Sequence, residues 1–485
     1  MTGLGRADFA TGCFVAGKWL PVSEHYDVFD PATGARVGPA PRCTSEHVDA
    51  AVGAARDAFV GWSQTSLDER RDVLARIGAA IGGYGDALAD LVVAETGALA
   101  PFARHVVVGF AEQRFAWHAQ AKREWLSETW DVANPDGGSR STMVVRQPVG
   151  VVAGVTPYNF QLPNVAAKVG AALVAGCTVV LKPAPQDPLA SLRFCEIIEE
   201  LDLPPGIINM VTSDQSDISQ ALVRHADVDM VSFTGSTAVG QAIATDVSPQ
   251  FKRLLLELGG KSALVVTEGA DVAAAAQVAA TTWTVFSGQI CTAPTRVVVH
   301  ESVHAELVDV LAEIATNLVV GDPRDAATDM GPLISPAQLA RVEAYVAGGV
   351  IEGARLVVDG RQAPMPEQGN FMGATLFDDT DSSMAIAREE IFGPVVCLTS
   401  VGSEEEAIAV ANDSMYGLDG YVWADTAEHG AAIAGRMRTG HVSVNGAPVN
   451  PEAPFGGFRS SGLGRDRGVA GIQAYTEVQS IDLPA

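Results

Sequence analysis

Apolar residues recur along this chain with two different periods, and their alternation predicts the secondary structure. Residues 48–59 and 67–81 carry apolar side chains at helical spacing, which predicts two amphipathic helices rich in Ala and Arg. Short β-branched runs predict strands, with helices between them, at 149–155, 178–181, 207–211 and 230–233. This alternation is typical of an α/β fold with largely parallel sheets, in which nucleotides bind at the carboxyl ends of the strands.

Two segments depart from this alternation. Residues 126–146 contain two strand-like stretches around the polar turn Asn134-Pro135-Asp136-Gly137-Gly138, which predicts an exposed hairpin. Residues 475–483 predict a terminal strand that pairs outside its own domain. Between these segments, a second α/β series runs from 264 to 445.

Length and charge narrow the class of protein. The chain has 485 residues, more than one hydrophobic core usually supports, so we expect two or three domains. Its formal net charge is −26, and such a polyanion gains nothing by approaching nucleic acid or an acidic membrane surface. The first residues lack the pattern of a signal peptide, and no apolar run reaches the ~20 residues that span a bilayer. We therefore expect a cytoplasmic enzyme with neither nucleic-acid nor membrane partners.

The six cysteines are scattered, and no two of them form a CxxC pair. Their spacing predicts neither a disulfide framework nor a metal site, and most of them should be reduced, buried and inert. Cys291 differs because it follows Gly288 and Gln289 at a predicted turn, where backbone N–H groups could stabilise a thiolate or an oxyanion. On this segment alone, a buried and inert cysteine remains the alternative.

Two further segments carry candidate chemistry. Glu257 lies between leucines and precedes two glycines, so it could be a desolvated general base with a raised pKa; a partly exposed strand-end glutamate is the alternative. Residues 230–240 read as a strand, a Gly-Ser-Thr turn and the start of a helix. The N-terminus of such a helix can bind a pyrophosphate, although a purely structural turn fits the segment equally well.

These segments and others in the same order resemble the aldehyde dehydrogenase superfamily over nearly the whole chain. The matching motifs are Phe14-Val15-Ala16-Gly17-Lys18-Trp19, Asp30-Pro31-Ala32-Thr33-Gly34, Thr156-Pro157-Tyr158-Asn159-Phe160, Lys182-Pro183-Ala184, Phe233-Thr234-Gly235-Ser236-Thr237, Glu257-Leu258-Gly259-Gly260-Lys261, Gly288-Gln289-Ile290-Cys291, Glu389-Glu390-Ile391-Phe392-Gly393-Pro394, Pro454-Phe455-Gly456-Gly457-Phe458, Ser461-Gly462-Leu463-Gly464 and Ala474-Tyr475-Thr476-Glu477. Any one motif could arise by chance, but so many in order are highly specific.

The resemblance implies a mechanism of aldehyde oxidation. Cys291 would attack the aldehyde carbon, and Asn159 would stabilise the resulting oxyanion together with the backbone N–H of the cysteine. Hydride would pass to a nicotinamide cofactor, and Glu257 would activate the water that hydrolyses the thioester. Lys168 and Asp466 match a proton-relay pair, where the family often has glutamate at the second position.

The resemblance also implies a cofactor site. The residues that match it are Thr156, Pro157, Lys182, Gly235, Ser236, Leu258, Glu390 and Phe392. Many NAD-preferring relatives have a glutamate three residues after the ribose lysine, whereas this chain has Pro185. No arginine nearby attracts a 2′-phosphate, so NAD is expected first and NADP stays possible.

The resemblance further assigns an aldehyde channel, lined by Phe160, Gln161, Asn164, Ile290, Thr292, Val449 and Phe455. Because these residues are mostly apolar and include no arginine, they favour a medium or bulky neutral aldehyde. Three alternatives are a CoA-acylating enzyme, a catalytically silent structural relative and a phosphorylating enzyme. The presence of Glu257 argues against a CoA-acylating enzyme, which needs no base to activate water. The intact set of site residues argues against a catalytically silent relative. A phosphorylating enzyme would need cations in the channel.

The expected fold is therefore that of an aldehyde dehydrogenase. It would combine a Rossmann-like cofactor domain (1–125 and 147–257), an α/β catalytic domain (258–445) and a small β oligomerisation element (126–146 and 472–485). Because the family pairs edge strands of this element between subunits, we expect a homodimer or a homotetramer.

Overall fold

A computed structural model describes residues 12–133 and 138–484 of the chain. This part contains twenty strands: β1 Gly12–Val15, β2 Lys18–Pro21, β3 His25–Phe29, β4 Arg36–Pro41, β5 Ser127–Ala133, β6 Ser139–Pro148, β7 Val151–Val155, β8 Thr178–Lys182, β9 Ile208–Met210, β10 Met230–Thr234, β11 Arg253–Glu257, β12 Ala263–Val266, β13 Arg296–His300, β14 Arg355–Val358, β15 Thr375–Asp378, β16 Val395–Val401, β17 Gly420–Trp423, β18 Ser443–Val444, β19 Gly462–Leu463 and β20 Thr476–Leu483.

Sixteen α-helices connect these strands within the described ranges: α1 Ser45–Trp62, α2 Leu67–Gly83, α3 Gly85–Thr96, α4 Ala100–Phe102, α5 Gly109–His118, α6 Gln161–Ala175, α7 Pro188–Glu200, α8 Ser216–Arg224, α9 Thr237–Val247, α10 Val272–Thr284, α11 Glu301–Asn317, α12 Pro336–Ile351, α13 Ala385–Arg388, α14 Glu404–Asn412, α15 Ala427–Ala434 and α16 Gly468–Ala474. A π-helical segment, Ala103–Val108, joins α4 to α5. The helices predicted at 48–59 and 67–81 lie within α1 and α2.

The first large sheet has eight strands in the order β19-β11-β10-β7-β8-β9-β1-β2. Its central strands β7, β8, β10 and β11 are parallel, and β7 and β8 are buried along their whole length, because helices cover both faces. Strands β7, β8 and β10 lie at predicted apolar runs, although β8 and β10 each extend one residue further, to Lys182 and to Thr234. Those two additional residues belong to the site described below.

A second sheet of seven strands has the order β14-β15-β16-β13-β12-β17-β18. It is parallel except at its β14 edge, and it corresponds to the second predicted α/β series. Its core packs the apolar residues of α10 and α11 against β12, β13 and β16. The segment that carries Cys291 enters this sheet at β13.

A small antiparallel sheet is formed by β5, β6 and β20. The two strands of the predicted hairpin pair from Ser127 with Val145 to Ala133 with Ser139, while residues 134–137, most of the predicted turn, lie outside the described residues. The terminal strand β20 pairs with β6, away from both large sheets, as the sequence predicted. The numerical domain boundaries stay a prediction.

Helix α6 directly follows the turn that carries the predicted site residues Thr156 to Phe160. It is apolar on nearly all sides, so it is buried between α5 and the first sheet. It begins after Phe160, whose φ is 53°, and it ends at Gly176, whose φ is 95°. Among the described residues no single helix is long and apolar enough to cross a membrane; α2 and α3 pass that test only as a pair bent by 71°.

Candidate active site

Neighbouring strands of the first sheet end side by side and carry predicted site residues. Val155, at the end of β7, is in register with Lys182, at the end of β8. Thr234, at the end of β10, is in register with Glu257, at the end of β11. The strand order reverses between β7 and β10, and such a switch point is where open α/β sheets bind ligands.

The segment before Cys291 is a tight loop in which few substitutions can be accommodated. Gly288 has a φ of 75°, and a Cβ at this position would lie 2.2 Å from the carbonyl oxygen of Gly393. The buried side chain of Gln289 accepts a hydrogen bond from the Ile334 N–H at 2.9 Å and donates one to the carbonyl of Phe286 at 3.2 Å. These contacts hold the backbone of the loop so that the thiol of Cys291 faces the cavity described below.

Asn159 lies in the turn between β7 and α6 and is buried. Its Nδ2 donates a hydrogen bond of 2.8 Å to the backbone carbonyl of Gln289, two residues before Cys291. An amide nitrogen carries two hydrogens, so one N–H of Asn159 orients the side chain and the other stays available to a ligand.

Glu257 is the last residue of β11, and its side chain is buried. Neither carboxylate oxygen has a hydrogen-bond partner in the described part of the chain. Gly456, with a φ of 141°, allows this close approach because a Cβ there would lie 2.6 Å from the Glu257 Oε1. Burial, and then the charge of Asp466, raise the pKa of Glu257 well above its usual range. The partly exposed alternative is therefore wrong.

Cys291 is the only partly exposed cysteine of the six; the other five are buried, and all six are free thiols in the structure. Burial, followed by the charges of Glu390 and Glu257, raises the pKa of its thiol to about 12. The thiol is therefore protonated near neutral pH and needs a base before it can act as a nucleophile.

One cavity of about 1100 Å³ joins the predicted residues. Cys291, Asn159 and Glu257 all line it, although they come from three segments far apart in the sequence. Every residue predicted for the cofactor lines the same cavity: Thr156, Pro157, Lys182, Gly235, Ser236, Leu258, Glu390 and Phe392.

The cofactor half of the cavity has features that fit a dinucleotide. Ser236 is the N-cap of α9, and its Oγ accepts from the N–H of Val239 at 3.4 Å, so the helix N-terminus opens towards the cavity. Gly235 is tightly packed, since a Cβ there would lie 2.5 Å from the ring of Phe233. The Oγ1 of Thr156 is buried and has no hydrogen-bond partner among the described residues.

Lys182 and Glu390 give this half its charges. Burial lowers the pKa of Lys182 to about 8, although Asp187 opposes this shift. Burial raises the pKa of Glu390 to about 7, and the N–H of Gly260 partly offsets it by donating a 3.0 Å hydrogen bond to Oε1. The Glu390 carboxylate reaches this place because Gly259 has no side chain; a Cβ there would lie 2.2 Å from Oε2.

The aldehyde half agrees in part with the sequence prediction. Its walls include Phe160, Asn164, Ile290, Thr292, Val449 and Phe455. Gln161 does not line the cavity; it is buried within α6, and its Nε2 has no partner among the described residues. A Phe102 ring packs edge-on against Phe160 at 5.5 Å and fixes this wall from behind.

The two residues of the predicted relay pair differ in their access to the cavity. Asp466 lines the cavity, whereas Lys168 lies behind its wall and donates hydrogen bonds to Thr234 Oγ1 at 2.9 Å and to Ser232 Oγ at 3.3 Å. Burial lowers the pKa of Lys168 to about 8. Burial alone would raise the pKa of Asp466, but the charges of Arg114 and Lys168 lower it overall.

Sequence reasoning missed several polar residues of the aldehyde half. Arg114, Arg467 and His441 line it, and His441 Nδ1 lies 2.7 Å from Asp419 Oδ1. The predicted channel residues include no arginine, and the structure adds these two arginines to them. Arg467 follows Asp466 directly, so its position beside a predicted site residue was the available signal.

Comparison with known proteins gives the family. Residues 19–481 match the aldehyde dehydrogenase family. The chain belongs to this family. Over 472 residues the chain is 39% identical to a 3-succinoylsemialdehyde-pyridine dehydrogenase of a Pseudomonas species, covering 96% of this chain and 97% of that protein. It is 38% identical over 474 residues to the geranial dehydrogenase of Castellaniella defragrans, covering 97% and 98% of the two chains.

A solved structure supports the same assignment for the whole fold. A mutant of aldehyde dehydrogenase C from Pseudomonas syringae, crystallised with NAD+ and octanal, superposes on this aldehyde dehydrogenase with a TM-score of 0.91. The two chains are 37% identical, and the match covers 98% of this chain and 96% of the other. The α/β fold predicted from the motifs is confirmed.

Proposed function

We propose that this aldehyde dehydrogenase oxidises an aldehyde to its carboxylic acid, with NAD as the hydride acceptor, through a covalent intermediate on Cys291. The observation that carries the proposal is that Cys291, Asn159 and Glu257 line one cavity with all predicted cofactor residues. The complex of the Pseudomonas syringae enzyme with NAD+ and octanal supports the choice of cofactor and of substrate class.

The first step requires a thiolate. Glu257 is the proposed proton acceptor because it lines the same cavity as Cys291 and neither of its carboxylate oxygens has a hydrogen-bond partner among the described residues. The sulfur then forms a bond to the aldehyde carbon, and the carbonyl electrons move to the oxygen. The free N–H of Asn159 and the backbone N–H of Cys291 stabilise this oxyanion.

When bound, NAD accepts the hydride that leaves the former aldehyde carbon. The acyl group is then a thioester of Cys291. Glu257 removes a proton from a water that attacks the thioester carbon, the C–S bond breaks, and the acid and the cysteine thiolate are released.

The chain's own residues are proposed to hold NAD at three points. The N-terminus of α9 at Ser236 receives the pyrophosphate, Lys182 donates to the adenosine ribose, and Glu390 accepts from the nicotinamide ribose. Pro185 lines the cavity three residues after Lys182 and offers no carboxylate against a 2′-phosphate. Pro185 therefore leaves NADP as the second cofactor to assay. NAD is preferred because the related enzyme from Pseudomonas syringae was crystallised with NAD+.

Lys168 and Asp466 are the proposed proton relay. Lys168 donates a hydrogen bond of 2.9 Å to Thr234 Oγ1, and Thr234 lines the cavity as Asp466 does. The charge of Asp466 favours the protonated form of Lys168, which would let the pair pass on a proton that leaves the cavity.

Hydrolysis rather than transfer to CoA follows from the buried carboxylate of Glu257. A CoA thiol needs no water-activating base at this position, whereas hydrolysis does. An assay of the product with and without CoA separates the two reactions.

The small sheet of β5, β6 and β20 is proposed to join subunits into a homodimer or a homotetramer. Its exposed side chains include Trp130, Val132 and Val478, and β5 pairs with β6 on one side only. An unpaired strand edge with exposed apolar residues is a typical site of association.

The decisive experiment compares two cysteine variants. Cys291→Ala should abolish NADH formation with every aldehyde while NAD binding, measured by calorimetry, is retained. Cys195→Ala, a buried cysteine away from the cavity, should retain turnover. Glu257→Gln should accumulate a thioester adduct visible by mass spectrometry, because deacylation slows more than acylation. Turnover by the Cys291 variant would refute the proposal.

A further inference from the structure

Arg467 is an unpaired cation in the wall of the aldehyde half. Its guanidinium carbon lies 4.3 Å from the centroid of the Phe455 ring, so the side chain is stacked on a channel residue. Its Nε is buried without a hydrogen-bond partner, and no carboxylate of the described residues forms an ion pair with its guanidinium. A cationic donor in a cavity with unused N–H groups is suited to an acceptor supplied by a ligand.

The backbone holds Arg467 in a conformation that is costly for any residue with a side chain. Its φ is 60° and its ψ is 164°, a region that is essentially reserved for glycine. Asp466 Oδ1 accepts from the Arg467 N–H at 2.7 Å, and two backbone hydrogen bonds of 2.7 Å join Asp466 to Phe455. Strain of this kind persists where the surrounding structure enforces it, and it is concentrated at binding and catalytic sites.

The charges of Asp466 and Glu257 act on Arg467 from a distance, but neither carboxylate forms an ion pair with its guanidinium among the described residues. His441 shares this part of the cavity, and its imidazole is already paired with Asp419. Asp466 receives the backbone N–H of Arg467, and Arg114 donates to the carbonyl of Pro163 at 2.7 Å. Glu452 also lines the cavity but is exposed to solvent and forms no ion pair among the described residues.

We propose that Arg467 determines specificity by binding a carboxylate at the far end of the aldehyde substrate. The preferred substrates are then ω-oxo carboxylic acids, whose apolar carbon chain lies along Phe160 and Phe455 while the aldehyde group reaches Cys291. The inference rests on the proposed function and adds a substrate class to it. It replaces the neutral aldehyde that the sequence favoured, because that expectation depended on a channel without arginine.

The test measures kcat/KM for a homologous series of ω-oxo acids and for the methyl esters of the same acids. The unaltered enzyme should prefer the acids. In Arg467→Leu the ratio of acid to ester should fall at least about tenfold, mainly through KM, because a charge-assisted hydrogen bond is lost. Arg438→Leu is the matched control, since Arg438 also stacks on a phenylalanine, Phe458, but lies outside the cavity; its ratio should not change.

A second variant separates the charge from the shape of the loop. Glycine adopts the backbone conformation of position 467 without steric cost, so Arg467→Gly should melt at or above the temperature of Arg467→Leu and lose the same specificity. If only the leucine variant lost it, the loop shape would explain the effect and the inference would be wrong. An acid-to-ester ratio near one in the unaltered enzyme would also overturn it. If neither acids nor esters were oxidised while octanal was, the inference would be wrong and the proposed function would stand; if octanal were not oxidised either, the proposed function itself would fail.

Discussion

At the scale of single residues, the site contains donors and acceptors whose hydrogen-bonding capacity is free for a ligand. One N–H of Asn159 donates to the carbonyl of Gln289 and the other stays available, while neither oxygen of Glu257 has a partner within residues 12–133 and 138–484. Burying such groups without partners costs stability. Their position in one cavity makes that cost consistent with a role in catalysis rather than in folding.

Asn159→Ala tests the oxyanion role. The variant loses one donor, and kcat/KM should fall by about 100- to 1000-fold, because one oxyanion donor contributes roughly 3–4 kcal/mol. Steady-state kinetics with a saturating cofactor measures the loss.

Asn164→Ala is the control for that experiment. Asn164 lines the same cavity, but its Nδ2 donates to the carbonyl of Phe160 at 3.0 Å. Its activity should stay within about tenfold of the unaltered enzyme, since no transition-state donor is lost. Equal losses in both variants would argue against a specific oxyanion role for Asn159.

At the scale of elements, glycines allow the site residues to approach one another, because they have no Cβ. Gly288, Gly259 and Gly456 each lie where a Cβ would overlap a backbone or carboxylate oxygen of the site. These contacts join the cysteine loop, the end of β11 and the segment before β19 into one unit. The geometry of Cys291 therefore depends on residues without side chains.

Gly288→Ala should displace the cysteine loop. The added methyl group meets the carbonyl of Gly393, and the φ of 75° is unfavourable for alanine, so we expect a loss of activity above tenfold and a lower melting temperature. Activity assays and thermal unfolding check both effects.

Gly53→Ala is the matched control for that change. Gly53 lies inside α1, and a Cβ there meets no atom within 4 Å. Alanine should stabilise the helix by about 0.5–1 kcal/mol and leave activity unchanged. Retained activity in Gly288→Ala would contradict the proposed role of the loop.

At the scale of the whole molecule, buried carboxyl groups link stability to pH. The folded state raises the pKa of Glu257, so this group keeps its proton at pH values where the unfolded chain has lost it. The folded state then binds more protons, and stability falls as pH rises from the unfolded pKa through the folded one.

Glu257→Gln should remove this contribution. The variant should gain stability relative to the unaltered enzyme as pH rises above the unfolded pKa of about 4.3, because glutamine has no proton to lose. Denaturant unfolding at a series of pH values measures the difference. A difference independent of pH would mean that Glu257 is already ionised in the folded enzyme.

Assembly also belongs to this scale. Val132→Lys places a charge on the exposed strand β5, and it should shift the oligomer towards smaller species in light scattering, because the strand edge then resists pairing. Val60→Lys, on the exposed face of α1, is the control and should leave the mass unchanged. A monomeric unaltered enzyme would refute the proposed element.

Much of the fold and of the site could be predicted from local patterns. The strands β7, β8 and β10 followed from β-branched runs, and Cys291, Glu257 and Asn159 followed from motifs, because a run or a motif is contiguous in the chain. Gln161 and Lys168 were harder, since neighbours on a helix face different directions and the sequence does not say which face meets the cavity.

The sequence by itself determined the periodicity of the core, the positions of the central strands and the identity of the candidate reactive groups, since each depends on residues adjacent in the chain. Only the tertiary structure decided that those groups share one cavity and that Arg467 joins them. The reason is physical: the direction of the Arg467 side chain depends on a φ of 60°, which is held by the hydrogen bond that the Arg467 N–H donates to Asp466 and by the backbone pairing of Asp466 with Phe455. No local pattern encodes that constraint.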